Sequence, residues 1–120
     1  MLNLDTHVLV HALAGELTRP EEALLRDDAW SISAIVLWEI GKLAELGRIE
    51  VDLNDAELER TLARIHVWPL TREIARMSTR LDIRGDPADE VIAATSLVQR
   101  VPLVTRDRAL LRSRTVPLAR

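Results

Sequence analysis

The chain has 120 residues, 48% of them hydrophobic, with a formal net charge of −3, no cysteine, no Phe and no Tyr. That length suits one domain over residues 1–120, with a core built from Leu, Ile, Val and Ala around three Trp. The missing cysteines exclude disulfides, thiolate zinc sites and a cysteine nucleophile, and the acidic balance argues against a generally basic nucleic-acid binder. No apolar run approaches the roughly 18–20 residues that span a bilayer, and no basic, apolar leader precedes Asp5. The chain therefore reads as soluble and cytoplasmic, with no membrane partner.

Met1 to Leu4 reads as a short buried strand ending at Asp5. Thr6 to Ala14 has helical character, with Gly15 as its C-cap. A second short helix opens at Arg19-Pro20 and runs to about Asp27. Trp30 to Ser33 is a second strand. A long helix follows from about Ala34 to Leu46, capped by Ser33 and stopped by Gly47. Asn54 is read as the cap of a helix to about Ile65. His66 to Leu70 is a third strand, limited by Pro69. Thr71 caps a helix to about Leu81. Asp86 and Pro87 open a helix that ends near Arg100. Pro102 to Thr105 is a fourth strand, Asp107 to Arg112 a short helix, and Thr115 to Leu118 an edge strand. Short apolar strands separated by helices predict an α/β fold with a mostly parallel sheet between helical layers.

In such a sheet, functional groups gather at the carboxyl ends of the strands. Asp5 ends the first strand, and Asp107 follows the fourth by two residues. Asp89 begins the helix that feeds the fourth strand. Glu39 lies mid-helix with Ile35 and Leu43 at i−4 and i+4, so it falls on an apolar stripe and needs a base, a proton or a cation. Each acid also has an ordinary explanation. Asp5 and Asp107 suit helix caps, Asp89 suits the positive end of a helix, and Glu39 suits an ion pair. Those explanations leave unexplained why four acids converge on one sheet edge, where a hard divalent cation would relieve their repulsion. Thr6 and Thr105 flank acids and suit hydroxyl helpers, or simple turn contacts. Asp86 reads as a structural cap. His7 and His11 stand at i, i+4, but no Glu follows His7 as a zinc protease would need. From Arg100 onward, six arginines face one acid, a surface suited either to a phosphate backbone or to plain solvation.

Four stretches, in this order, together resemble the PIN-domain ribonucleases, and VapC toxins in particular. They are Leu4-Asp5-Thr6-His7-Val8-Leu9, the run from Ile32 to Leu43, the run from Asp86 to Thr95, and Leu103-Val104-Thr105-Arg106-Asp107. The resemblance implies a compact α/β/α PIN fold and an acidic site of Asp5, Glu39, Asp89 and Asp107 holding Mg²⁺ or Mn²⁺. It implies hydrolysis of RNA phosphodiester bonds by metal-activated water, with Thr6 and Thr105 as hydroxyl helpers. Arg106, Arg108 and Arg112 become the expected contacts to the RNA backbone. Val36 stands where many relatives carry Ser. The implied partners are a VapB-like antitoxin, through which alone DNA is contacted, and a second copy in a homodimer. Two competing readings are a catalytically degenerate PIN-like RNA-binding module and a Mg²⁺-dependent phosphotransfer or receiver-type domain. His7 stands where a phosphatase would want a second Asp, and the third strand ends without the Asp of a receiver.

Overall fold

The computed structural model describes residues 1–120. Four strands, β1 (Leu2–Leu4), β2 (Trp30–Ser33), β3 (His66–Trp68) and β4 (Leu103–Val104), form one sheet in the order β3-β2-β1-β4. All of its pairings are parallel, as predicted. Seven helices surround it: α1 (Thr6–Ala14), α2 (Arg19–Leu25), α3 (Ile35–Glu45), α4 (Ala56–Leu62), α5 (Arg72–Ser78), α6 (Pro87–Gln99) and α7 (Arg108–Leu111). The chain moves outward from β1 to β2 and β3, then returns through α5 and α6 to place β4 on the other side of β1. The strand order therefore reverses between β1 and β4, and a crevice opens at their carboxyl ends.

The core is aliphatic. Leu4, Leu9, Ile32, Ile40, Leu58, Ile74, Ile92, Leu103 and Leu110 are all essentially inaccessible. Each such side chain contributes about 1.5–3 kcal/mol of burial, so the missing rings are replaced by many branched residues. One polar contact crosses this core. Asn3 in β1 donates from Nδ2 to Ser96 Oγ at 2.9 Å and to the Ile92 carbonyl at 3.3 Å, tying β1 to α6.

Several local expectations shift by a residue or a turn. Asn54 is not the cap of α4: its N–H turns back to Asp52 Oδ1 at 2.8 Å, and Asp55 accepts from Glu57 N at 2.9 Å instead. Ser33 does not cap α3, whose N-cap is Ala34; the Ser33 hydroxyl accepts from Ile35 N at 3.2 Å. Helices α4 and α5 stop at Leu62 and Ser78, each three residues before the expected end. Thr71 does cap α5, accepting from Ile74 N at 3.1 Å. The edge strand at 115–118 is reduced to one parallel bridge between Leu118 and Leu103, beside a Pro117 that has no N–H to offer a ladder.

Candidate metal centre

Asp5 is the first residue beyond β1 and is only 4% exposed. Its Oδ1 accepts from Thr6 N at 2.8 Å, and its Oδ2 accepts from the Thr105 hydroxyl at 2.6 Å. The same hydroxyl accepts from Asp107 N at 3.0 Å, so one threonine joins the ends of β1 and β4. Asp107 caps α7 through Oδ1, which accepts from Ala109 N at 2.8 Å and Leu110 N at 3.1 Å. Glu39 comes from α3 and is half-buried. Its Oε1 accepts from the Thr6 hydroxyl, while the nearest basic residue on α3, Lys42, pairs with Glu45 at 3.7 Å. Asp89 stands in the first turn of α6.

Asp5, Glu39 and Asp89 each place a carboxylate oxygen so that all three lie within 4.8 Å of one another. They arrive from a strand end and two helices, and no cation of the chain sits among them. The cleft around them measures about 360 Å³ and is also lined by Asp86, Asp107, His7, His11 and Arg106. Burial, then the charges of Asp5, Glu39, Asp107 and Asp86, push Asp89 up to about 7. Burial also raises Asp5, against the lowering effect of its bonds from Thr105 and Thr6. Three crowded carboxylates, two of them holding protons more tightly than usual, fit a hard divalent cation with oxygen ligands. The donor set lacks thiolates, and the histidines line the cleft outside the triad.

Asp107 lies on the wall of this cleft, outside the tight triad. Thr6 and Thr105 both donate to site carboxylates. Arg106 lines the cleft but is bound to Glu21. Arg108 and Arg112 are exposed on and just beyond α7, away from the cleft lining. Two residues enlarge the predicted set. Asp86 has the backbone angles of an N-cap, φ −62° and ψ 151°, yet its carboxylate makes no capping bond and lines the cleft. Glu21 was legible only as the acid of a capping box with Thr18, not as a partner of a residue 85 positions away. A wider groove of about 820 Å³ opens into the cleft, sharing His7, His11, Glu39 and Asp86 with it. Val10, Leu13, Leu43, Ile49 and Val51 supply its apolar lining.

The chain is 30% identical over 114 residues to Ribonuclease VapC22 of Mycobacterium tuberculosis, a match covering 89% of this chain and 87% of that protein. The fold is similar to a chain in the crystal structure of VapBC2 from Rickettsia felis bound to a DNA fragment from the promoter. There the TM-score is 0.74 and the identity 21%, over 99% of this chain and 98% of that one. It is likewise similar to a chain of a toxin–antitoxin complex from Klebsiella pneumoniae, with a TM-score of 0.74 and 18% identity over 99% and 97% of the two chains. The model of the PIN domain matches residues 3–114, and the chain therefore belongs to the PIN-domain family.

Proposed function

We propose that the chain, as one PIN domain over residues 1–120, is a metal-dependent endoribonuclease and the toxin of a VapBC-type pair. The observation that carries this reading is the meeting of Asp5, Glu39 and Asp89 within 4.8 Å in a cleft at the sheet switch point. These three residues would hold Mg²⁺, or Mn²⁺, with Asp107 at the rim. A divalent ion bound there supplies Lewis acidity toward the scissile phosphate and lowers the pKa of water. The Thr105 and Thr6 hydroxyls orient Asp5 and Glu39 for that task. Asp89 or Asp107 would take the proton of the attacking water, whose oxygen bonds to phosphorus in line as the P–O3′ bond breaks; the leaving 3′-oxygen takes a proton from solvent, giving a 5′-phosphate and a 3′-hydroxyl. Arg106, Arg108 and Arg112 contact the RNA backbone, and the shortage of rings leaves recognition to phosphate contacts and RNA shape.

The relatives named as toxin–antitoxin complexes, and the apolar groove that opens into the acidic cleft, support a VapB-like antitoxin as partner. A segment lying in that groove would cover the site, and DNA would be reached only through the antitoxin. Exposed Trp38, Leu46 and Leu70 supply apolar surface for a homodimer. No helix is long and apolar enough to cross a membrane, and the proposed substrate places the activity in the cytoplasm. Convergence of carboxylates from three elements weighs against a degenerate RNA-binding module.

The test is purified protein with total RNA and Mg²⁺ or Mn²⁺, with and without EDTA, followed by mapping of the cut ends. Asp5→Asn and Asp89→Asn should each lower cleavage by at least about 100-fold while the circular dichroism spectrum stays native. RNA left intact by the free wild-type protein with either ion refutes the nuclease reading. Undiminished cleavage by Asp89→Asn refutes the site assignment alone.

A further inference from the structure

Arg106 sits in sequence between Thr105, whose hydroxyl holds Asp5, and Asp107, and its side chain lines the acidic cleft. Five acids share that cleft, yet the guanidinium pairs with none of them. Its Nε donates to Glu21 Oε2 at 2.7 Å, and its Nη2 donates to Glu21 Oε1 at 2.6 Å and to the Glu16 carbonyl at 3.2 Å. Glu21 is itself held in place. It is 9% exposed, and its Oε1 accepts from Thr18 N at 2.8 Å in the capping box of α2. The fork between guanidinium and carboxylate is the strongest arrangement open to an arginine, and a second anchor on a backbone carbonyl fixes it further.

We propose that Glu21 is a positioning residue that draws Arg106 away from the Asp5–Glu39–Asp89 triad and so keeps the chain's own cation out of the metal position. The inference rests on the metal reading of that triad. A released guanidinium, tethered one residue from Asp107, would be at high effective concentration beside carboxylates that carry excess negative charge. It would compete there with a divalent ion, as any local cation must. The Glu21 fork, which occupies Nε and Nη2 of Arg106, prevents this. The strength of the fork is visible in Glu21, which Arg106 holds down to about 2.

The test is Mn²⁺ affinity, measured by calorimetry on the protein without RNA, for wild type, Glu21→Gln, Arg106→Gln and the double variant. Gln at position 21 still completes the capping box, so α2 keeps its start. Glu21→Gln should weaken Mn²⁺ binding about tenfold, and the double variant should return to within about twofold of wild type. Arg106→Gln alone should bind at least as tightly as wild type. A purely structural clamp predicts no such restoration, because the double variant also lacks the clamp. Should Glu21→Gln fail to fold, Arg106→Lys, which keeps the charge but not the fork, should weaken binding in the same direction. Affinity for Glu21→Gln within twofold of wild type, or a double variant as weak as Glu21→Gln, overturns the inference. A wild type that binds no Mn²⁺ overturns the metal reading, and this inference with it.

Discussion

Thr105 holds the cleft together through a single oxygen. Its hydroxyl donates to Asp5 Oδ2 and accepts from Asp107 N, so the ends of β1 and β4 share one bridge. In Thr105→Val both partners lose that bond with almost no change of shape. The expected cost is about 1–3 kcal/mol of stability, because two partly buried polar groups are left unpaired. The lost bond also removes one of the influences that lower Asp5, so Asp5 should titrate higher and the acid limb of the cleavage profile should move to higher pH. Urea unfolding and kcat/KM against pH measure the two effects, with Thr105→Ser retaining the wild-type values. A valine variant that matches the serine variant in both would refute the bridge. The convergence of Asp5, Glu39 and Asp89 was legible in the sequence because a strand end, an acid on an apolar stripe and an acid at a helix start are local signals, whereas Asp107 lies outside the tight triad. Asp86 is the N-cap that its place before Pro87 predicts, but its side chain makes no capping bond, and the residue lines the cleft, which no local pattern reveals. The pairing of Glu21 with Arg106 joins positions too far apart for any periodicity to show.

Helix α6 carries Asp89 to the triad, and its depth against β1 is set two turns further along. Asn3 and Ser96 are fully buried and bonded at 2.9 Å, while Asn3 Oδ1 has no partner at all. An unpaired buried carbonyl is costly, so this contact sets alignment more than it adds stability. Ser96→Ala leaves Asn3 Nδ2 only the long 3.3 Å bond to Ile92, and should cost about 1–2 kcal/mol. Adding Asn3→Leu to it removes the stranded amide and should recover most of that loss in urea unfolding. If the double variant is as unstable as the two losses added together, Asn3 and Ser96 are not coupled. At this scale the sequence reading found every strand and helix, because each apolar run has a clear period and a clear stop. It misplaced caps by one residue where Asn54 and Ser33 use their polar groups in local turns. The fifth strand was overdrawn because a short apolar run does not reveal whether a ladder partner exists beyond one bridge.

The strand order decides where the whole molecule is weakest. Parallel pairing follows from alternating strands and helices, but nothing in the sequence says that β4 returns beside β1 rather than beyond β3. That return brings Asp5 and Asp89 together, and it makes stability depend on pH in two opposite ways. Glu21 is held near 2 by Arg106, below its usual 4.5, so its contribution is present above about 4.5 and is lost as pH falls toward 2. Asp89 is raised from 3.8 to about 7, so its contribution is fully present below about 3.8 and is lost as pH rises through 7. Without a metal ion, the melting temperature should therefore peak at about pH 4 to 4.5, where the rise from Glu21 ends and the fall from Asp89 begins, and decline on both sides. The loss on the alkaline side should be about 1–2 kcal/mol, since solvent screens a half-buried carboxylate. On the proposed metal reading a divalent ion would replace the proton among the carboxylates, so millimolar Mg²⁺ or Mn²⁺ should raise the melting temperature at pH 8 and leave it nearly unchanged at pH 4. Asp89→Asn should flatten the alkaline fall in the absence of metal and abolish most of the metal's effect. Differential scanning calorimetry from pH 3 to 8, with and without EDTA, reads all of these. A metal-free wild type as stable at pH 8 as at pH 5 would show that the triad is not under electrostatic strain.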